Sequence, residues 1–112
     1  MNVEILGTGG FAVELAGLVE TSGGDVLGFY GPQIGRVSEQ KYLGTDATVA
    51  QKAGVVVLVA VGDPKLRHWL VDFLCGRGIP QGTFVHPSAY IDETVFIGLG
   101  SIVYPGVIVH RG

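Results

Sequence analysis

The chain has 112 residues, of which 47% are hydrophobic and 15% are charged, and its formal net charge is −3. This length supports one modest domain with its own core, so a second unit must be partial or lean on a partner. With no Lys/Arg cluster, no apolar run near the roughly 18 residues of a membrane span and no signal peptide, we expect a cytoplasmic protein that binds neither nucleic acid nor membrane.

The chain opens with the pattern of a strand, a helix and a second strand. Residues 3–6 form an apolar run, residues 7–10 are a glycine-rich turn, and apolar residues then recur at helical spacing as far as Val19. The glycines at positions 23 and 24 end the helix, and residues 26–30 supply a second strand. A unit of this kind normally makes a parallel pair of strands.

The segment from residue 31 to residue 54 has a weaker pattern. Residues 42–44 indicate an edge strand. Thr45 and Asp46 are both suitable caps for a short helix, which we expect to continue to Lys52.

A strand and a helix are then predicted with clearer boundaries. Residues 55–61 are continuously apolar and mostly β-branched, which predicts a central strand covered on both faces. Asp63 suits the N-cap and Pro64 the first position of a helix. Five apolar residues at helical spacing predict a single core-facing stripe, which consists of Leu66, Trp69, Leu70, Phe73 and Leu74. Glycines end this helix at positions 76 and 78, and Phe84 begins the next strand.

The only cysteine is Cys75. A single cysteine excludes an internal disulfide and any thiolate-rich metal site. We expect its side chain to be buried as a small hydrophobic group.

The tail has a period of six. Aliphatic residues occupy every sixth position at Val85, Ile91, Ile97, Val103 and Val109. A triangular β-helix has this period because each flat side uses one hexad and three hexads close a coil. The predicted fold is therefore a Rossmann-like parallel-sheet α/β domain over residues 1–84, followed over residues 85–112 by the start of a left-handed parallel β-helix. Since a solenoid needs about three stacked repeats to bury its core, we expect the chain to be a fragment cut within that β-helix.

Residues 7–12 fit the G-x-G-x-x-G/A fingerprint between a strand and a helix. Such glycines let backbone N–H groups approach a pyrophosphate at the positive end of the helix dipole. Ligands of open parallel sheets bind beyond the carboxyl ends of the strands, so the segment after residue 61 belongs to the same crevice. The predicted binding residues are Gly7, Thr8, Gly9, Gly10, Phe11, Tyr30, Gly62, Asp63 and Lys65. Two structural alternatives stay open: the glycine turn is only tight packing, and Asp63 is only a helix cap.

Other chemistry has little support in the sequence. An NAD enzyme needs Asp or Glu at the end of the second strand, but here Gly31 and Pro32 follow that strand. His68 is expected on the surface, and structural roles are favoured for His86 and His110, which occupy outward positions of the hexads. No metal-ligand spacing and no catalytic triad is present in the sequence.

A glycine-loop α/β domain followed directly by hexapeptide repeats resembles the acyltransferase family typified by sialic acid O-acetyltransferases and bacterial UDP-4-amino-sugar N-acetyltransferases. The segments that carry the resemblance are residues 6–12, 28–30, 59–67 and 85–89. The resemblance implies that the N-terminal domain holds the UDP part of a sugar nucleotide, that the β-helix forms a trimer, and that acetyl-CoA lies between adjacent β-helices. It also implies a histidine general base in a later coil, beyond Gly112. One departure is that family members often have acidic residues after the second strand.

These observations predict the N-terminal part of an acetyl-CoA-dependent N- or O-acetyltransferase that acts on a nucleotide-linked amino sugar in bacterial surface-glycan synthesis. We expect this part to retain sugar-nucleotide binding and to self-associate. We also expect it to lack catalytic residues and most of the acetyl-CoA site, and therefore to transfer no acetyl group. The alternatives are a fragment of a dinucleotide-dependent oxidoreductase and a non-catalytic binding or assembly module.

Overall fold

The fold is described from a computed structural model, which describes residues 1–98 and 100–109. Its α/β part contains four strands and two helices: β1 (Asn2–Leu6), α1 (Gly10–Thr21), β2 (Asp25–Tyr30), β3 (Tyr42–Gly44), β4 (Val55–Val59) and α2 (Pro64–Gly76). The tail contains four two-residue strands: β5 (Phe84–Val85), β6 (Tyr90–Ile91), β7 (Ile102–Val103) and β8 (Ile108–Val109). Within the described residues, no helix has both the length and the apolar character needed to cross a membrane.

The sheet confirms the predicted parallel α/β architecture. Its four strands are all parallel and lie in the order β3-β2-β1-β4. The first strand of the chain is therefore a central one, with Leu6 beside Tyr30 on one side and Val59 on the other. Two helix-covered faces enclose it, so that Val3, Ile5 and Leu6 are fully buried.

The central position predicted for β4 is wrong. This strand lies at the end of the four-stranded order, next to β1, and on its far side the described residues contribute one isolated bridge, between Val57 and Gln81. Its last three residues are nevertheless buried. A continuously apolar strand indicates cover above and below the sheet, and it carries no information on how many strands lie beside it.

Two hydrophobic clusters flank the sheet. Val3 and Ile5 face α1, which contributes Leu15 and Val19 to the first cluster. Leu6 faces the opposite side and packs in the second cluster, to which α2 contributes the buried side chains of Leu70 and Leu74. The alternation of β1 side chains between the two clusters follows from the pleat of a strand.

The core-facing stripe predicted for α2 is wrong at two positions. Leu66 is 43% exposed and Trp69 is 58% exposed, while Leu70 and Leu74 are buried. The indole of Trp69 stacks on the ring of Phe73, with ring centroids 5.5 Å apart, on the flank of the helix. A stripe at this spacing covers more of the helix circumference than the line of residues that touches the sheet.

Cys75 is exposed, so its predicted burial is also wrong. It follows Leu74 in the sequence, and successive helical residues point about 100° apart because 3.6 residues make one turn. Since Leu74 points into the core, the next side chain is turned away from it.

The edge strand predicted at residues 42–44 is confirmed, whereas the helix expected as far as Lys52 is wrong. A three-residue 3-10 turn, Asp46–Thr48, takes its place, and its N-cap residue Thr45 makes no side-chain cap. Val49 leaves this turn in an extended conformation and is fully buried. The 3-10 turn ends at Val49, where the extended backbone places the side chain in the core.

The tail strands pair in parallel at the spacing of the hexads. Val85 lies beside Val103, and Ile91 lies beside Val109, so each hexad lies next to the third hexad after it. Of the aliphatic residues at this period, Ile91, Ile97 and Val103 are predicted to point into the interior of the β-helix; Val103 is buried and the other two are half-buried, while Val85, which begins the series, is 40% exposed. The predictions for His110 and Gly112 fall outside the described residues.

Candidate functional site

The glycine loop, which we define as residues 7–10, begins where β1 ends. Close packing requires a glycine at its first position. Gly7 has φ +134°, and a Cβ on it would lie 2.4 Å from the carbonyl oxygen of Ala60. Its N–H donates to the carbonyl of Tyr30 at 2.8 Å. Any side chain at this position would collide with the end of β4, so Gly7 is explained by close packing alone.

Gly9 and Gly10 are different, because nothing in the described structure requires glycine at either position. Gly9 has φ −92° and ψ −166°, an extended conformation open to any residue, and a Cβ on it would meet no described atom within 4 Å. Gly10 is the first residue of α1, and a Cβ there would meet the flexible guanidinium of Arg36 at 3.3 Å. Glycine is even unfavourable within a helix, by roughly 0.5–1 kcal/mol relative to alanine.

Glycines at these two positions leave the N-terminus of α1 open. Gly9 is the N-cap residue and provides no side-chain cap. The first N–H groups of a helix have no partner within the helix, and they form its positive end. The backbone of this turn is therefore accessible to an anion, which is the feature that phosphate-binding loops share.

The segment after β2 brings a cation to this opening. The N–H of Arg36 donates to the carbonyl of Thr8 at 2.8 Å. Gly35 has φ +56°, and a Cβ on it would lie 2.4 Å from the same carbonyl oxygen. Residues 35 and 36 thus pack directly onto the glycine loop, and the Arg36 guanidinium lies over the first turn of α1. Arg36 is not among the predicted binding residues, since a basic residue in an irregular loop has no pattern that shows where it points.

The structure also brings the segment after β4 to the glycine loop. Ala60 donates its N–H to the carbonyl of Leu6 at 2.8 Å, so the ends of β1 and β4 lie side by side. Gly62, Asp63 and Lys65 follow within a few residues and are exposed. The predicted N-cap is confirmed, because an Asp63 carboxylate oxygen accepts from the N–H of Lys65 at 3.0 Å.

Two predicted binding residues lie below the crevice instead of facing it. The Tyr30 side chain is 4% exposed, belongs to the α2-side cluster and donates its hydroxyl to Glu4 at 3.3 Å. The half-buried Phe11 ring makes an edge contact with Tyr104 of the tail, with centroids 6.2 Å apart. Both side chains support the elements that carry the loop.

Glu4 is the buried charge of the sheet, with 2% of its surface exposed. Its carboxylate lies 2.5 Å from the ammonium group of Lys52, which also donates to the Tyr30 hydroxyl at 3.2 Å. The hydrogen bond to Glu4 raises the pKa of Lys52 above its ordinary value. This cluster fastens the segment after Val49 to the face of the sheet that α2 covers.

The histidines of the described residues show no arrangement for catalysis. The Nδ1 atom of His86 accepts from the N–H of Ser88 at 3.0 Å, so the proton of the neutral ring lies on Nε2. The other ring nitrogen is then a donor, which is the wrong polarity for a general base acting through Nε2. His68 lies on the exposed side of α2, 3.4 Å from Asp72, as expected for a surface residue.

A pocket of about 270 Å³ lies at the opposite end of the strands, beside the beginning of β1 and the end of α1. Its lining includes Met1, Val19 and Thr83, and none of the lining side chains is charged. The glycine loop, in contrast, has the Arg36 guanidinium beside it, so side-chain charge favours the glycine loop over this pocket as a phosphate site.

Comparison with known proteins shows the same architecture. The family described as the PglD N-terminal domain matches residues 2–74. The structure of PerB from Caulobacter crescentus, in complex with CoA and GDP-perosamine, is 25% identical with a TM-score of 0.81, covering 98% of this chain and 54% of that one. The acetyltransferase domain of PglB from Neisseria gonorrhoeae, in complex with acetyl coenzyme A, is 24% identical with a TM-score of 0.77, covering 96% and 54%.

No curated protein sequence matches the chain. The chain spans about half of the length of the solved structures it matches. The family match, by contrast, extends over more than half of this chain and contains the whole glycine loop and most of α2. The chain therefore belongs to the PglD N-terminal domain family, in agreement with the predicted resemblance to bacterial sugar acetyltransferases.

Proposed function

We propose that residues 1–84 bind the nucleotide part of a nucleotide-linked amino sugar, with the diphosphate at the N-terminus of α1. Backbone N–H groups of the glycine loop are the donors, and Arg36 supplies the positive charge on the open side. Gly62, Asp63 and Lys65 line the neighbouring edge. The sequence resemblance favours a UDP-sugar, whereas the PerB complex contains GDP-perosamine. The titrations below therefore compare uridine and guanosine nucleotides.

The observation that carries this proposal is the contrast among the three glycines. Packing explains Gly7, but it does not explain Gly9 or Gly10, at which a Cβ has space. A structural turn alone would gain from a side chain at Gly9, because Ser, Thr, Asp or Asn at an N-cap satisfies a free N–H group. A ligand that lies against the backbone at the positive end of α1 needs positions without side chains there, and Gly9 and Gly10 provide them.

For the whole protein we propose transfer of an acetyl group from acetyl-CoA to the amine or hydroxyl of the bound sugar. The nucleophile attacks the thioester carbonyl and gives its proton to a general base as the new C–N or C–O bond forms; the C–S bond then breaks, and CoA leaves as its thiol after taking up that proton. Backbone donors stabilise the oxyanion. The sugar nucleotide and acetyl-CoA are cytoplasmic metabolites, so the proposal assigns the reaction to the cytoplasm.

We also propose that the tail is the beginning of a left-handed parallel β-helix that self-associates, as a trimer in the whole protein. The pairing of hexads three repeats apart supports the β-helix. The position before each inward residue is apolar throughout, and the row consists of Phe84, Tyr90, Phe96, Ile102 and Ile108. Phe84 and Ile102 pack on the α1-side cluster, whereas Phe96 is 88% exposed and Ile108 is 62% exposed. Exposed apolar surface of this kind supports contact with further copies.

Calorimetric titration of UDP, a UDP-sugar, GDP, a GDP-sugar and NAD tests the binding proposal. We expect one of the sugar nucleotides to bind and Gly9→Val to lower its affinity at least tenfold, which corresponds to about 1.4 kcal/mol. The substituted side chain projects into the space that the ligand needs, and its Cβ meets no described atom of the protein within 4 Å.

Gly76→Val is the matched control, since Gly76 ends α2 far from the loop and a Cβ there also has open space. Its affinity is expected to equal that of the unsubstituted protein. Equal affinity of the Gly9 variant would show that the loop is not the phosphate site. Preferential binding of NAD would favour the oxidoreductase alternative, and failure of every nucleotide to bind would favour an assembly module. Acetyl transfer, assayed in parallel, is expected to be absent from these 112 residues.

A further inference from the structure

The tail is attached to the α/β part at a point next to the glycine loop. The Arg67 guanidinium, on α2, donates to the carbonyl of Val59 at 2.7 Å and to the carbonyl of Gly100 at 2.8 Å. Val59 is the last residue of β4, and the neighbouring Ala60 carbonyl is the group on which Gly7 packs. One side chain thus joins the end of β4 to the tail.

A second connection runs from the tail to the other side of the loop. The ring of Tyr104 contacts Phe11, which lies in the first turn of α1. Burial, followed by the influence of the nearby Glu14 side chain, raises the pKa of Tyr104. The two connections reach the tail only a few residues apart, at Gly100 and Tyr104.

These contacts form a closed ring around the glycine loop, which we call the junction ring. It passes from Gly7 to the end of β4, through Arg67 to the tail, and through Tyr104 and Phe11 back to α1. The Arg67 guanidinium donates both of these hydrogen bonds to backbone carbonyls, and it forms no ion pair with a described carboxylate. A charged donor shared between two carbonyls from different parts of a chain fixes their relative position.

We propose that the junction ring couples sugar-nucleotide binding to docking of the tail, with Arg67 and Tyr104 as positioning residues that do not touch the ligand. A nucleotide diphosphate held at the N-terminus of α1 restrains Phe11 and the end of β4, and it thereby tightens the docking of residues 100–104. By linkage, the factor by which the ligand favours the docked tail equals the factor by which the docked tail favours the ligand, so undocking the tail weakens nucleotide binding. The ligand half of this inference rests on the proposed function.

The first test measures affinity and tail protection together, with the sugar nucleotide that binds best. In the unsubstituted protein we expect the ligand to slow hydrogen exchange at the Gly100 amide, which donates to the Thr83 hydroxyl at 3.0 Å. Arg67→Lys, which keeps the charge but not the two-carbonyl geometry, is expected to lower affinity about fivefold or more, within the usual range of coupling between sites. It should also reduce the slowing at Gly100.

Arg77→Lys is the matched control. Arg77 also lies at α2 and also donates to a backbone carbonyl, that of Ala47 at 3.0 Å, but it is not part of the junction ring. Its affinity is expected to stay within twofold of the unsubstituted protein. Unchanged affinity and unchanged Gly100 protection in the Arg67 variant would overturn the coupling.

A second measurement needs no ligand, so it separates failure of the coupling from failure of the proposed function. Phe11→Leu and Tyr104→Leu each remove one ring from the contact between Phe11 and Tyr104, and we expect both to speed exchange at Gly100. Phe11 reaches Gly100 through Tyr104, so we expect its effect on that amide to pass along residues 100–104. If Gly100 exchange is identical in all variants, the ring is not cooperative, whatever nucleotides bind.

Discussion

At the scale of single residues, the pair formed by Glu4 and Lys52 has the clearest energetic consequence. Removing one partner of a buried ion pair leaves an uncompensated charge, which typically costs 3–5 kcal/mol. Lys52 is partly exposed, with 46% of its side-chain surface in contact with solvent, so water offsets part of that cost. We expect Lys52→Met to lower the free energy of unfolding by about 2 kcal/mol, measured by urea denaturation.

The double variant Glu4→Leu/Lys52→Met is expected to recover most of that loss, because apolar replacements of a buried pair are often neutral. Lys41→Met is a matched control. The ammonium group of Lys41 also donates a hydrogen bond to the sheet, but its acceptor is the carbonyl of Val26 and not a buried carboxylate. A Lys52 variant as stable as the Lys41 variant would contradict the argument.

The same pair predicts a dependence of stability on pH at the alkaline end. The pKa of Lys52 is raised in the folded protein above its ordinary value of 10.5, chiefly by its hydrogen bond to Glu4. Its contribution is therefore fully present below pH 10.5 and is lost as the pH rises through the higher folded value. We expect the stability difference between the unsubstituted protein and Lys52→Met to shrink above pH 10.5, which denaturation at several pH values can measure.

At the scale of elements, substitutions of Asp63 can show whether one residue both caps α2 and contacts the ligand. Its carboxylate caps the helix through the N–H of Lys65, so Asp63→Ala is expected to cost about 1 kcal/mol in urea unfolding. Asp63→Ser retains a cap and should restore most of that stability. If Asp63 also contacts the ligand, the serine variant will remain weaker in nucleotide affinity. Full recovery of affinity with serine would limit Asp63 to its capping role.

The sequence predicts those elements whose structure depends on neighbouring residues. It does not predict features that depend on contacts between distant parts of the chain. The turn at Gly7, α1 and the Asp63 cap depend on neighbouring residues and were predicted correctly. The position of β4 in the sheet depends on where other strands lie, and the exposure of Trp69 depends on which line of α2 meets the sheet. For the site, the glycine loop is visible in the sequence, but Arg36 reaches it through a loop whose path only the structure reveals.

At the scale of the whole molecule, the exposed side chains of the tail row, Phe96 and Ile108, predict association. Light scattering at several concentrations is expected to show oligomers, and Phe96→Glu or Ile108→Glu is expected to shift them toward the monomer because a buried unpaired charge is costly. Val13→Glu is the control, since Val13 is a 42% exposed apolar residue on α1, away from the row. A strict monomer whose tail is strongly protected from hydrogen exchange would contradict the argument that the tail needs neighbours.

The central position of β1 also has a consequence for synthesis on the ribosome. This strand precedes its neighbours in the chain, and one of them, β4, does not begin until Val55. Parallel pairing over such a sequence distance is slow to form because loop closure must precede it. Until β4 emerges, one edge of the nascent β1–β2 pair carries unsatisfied backbone groups beside apolar side chains, and edges of this kind bind other chains. The stretch of translation before Val59 is therefore when a growing chain most needs a chaperone.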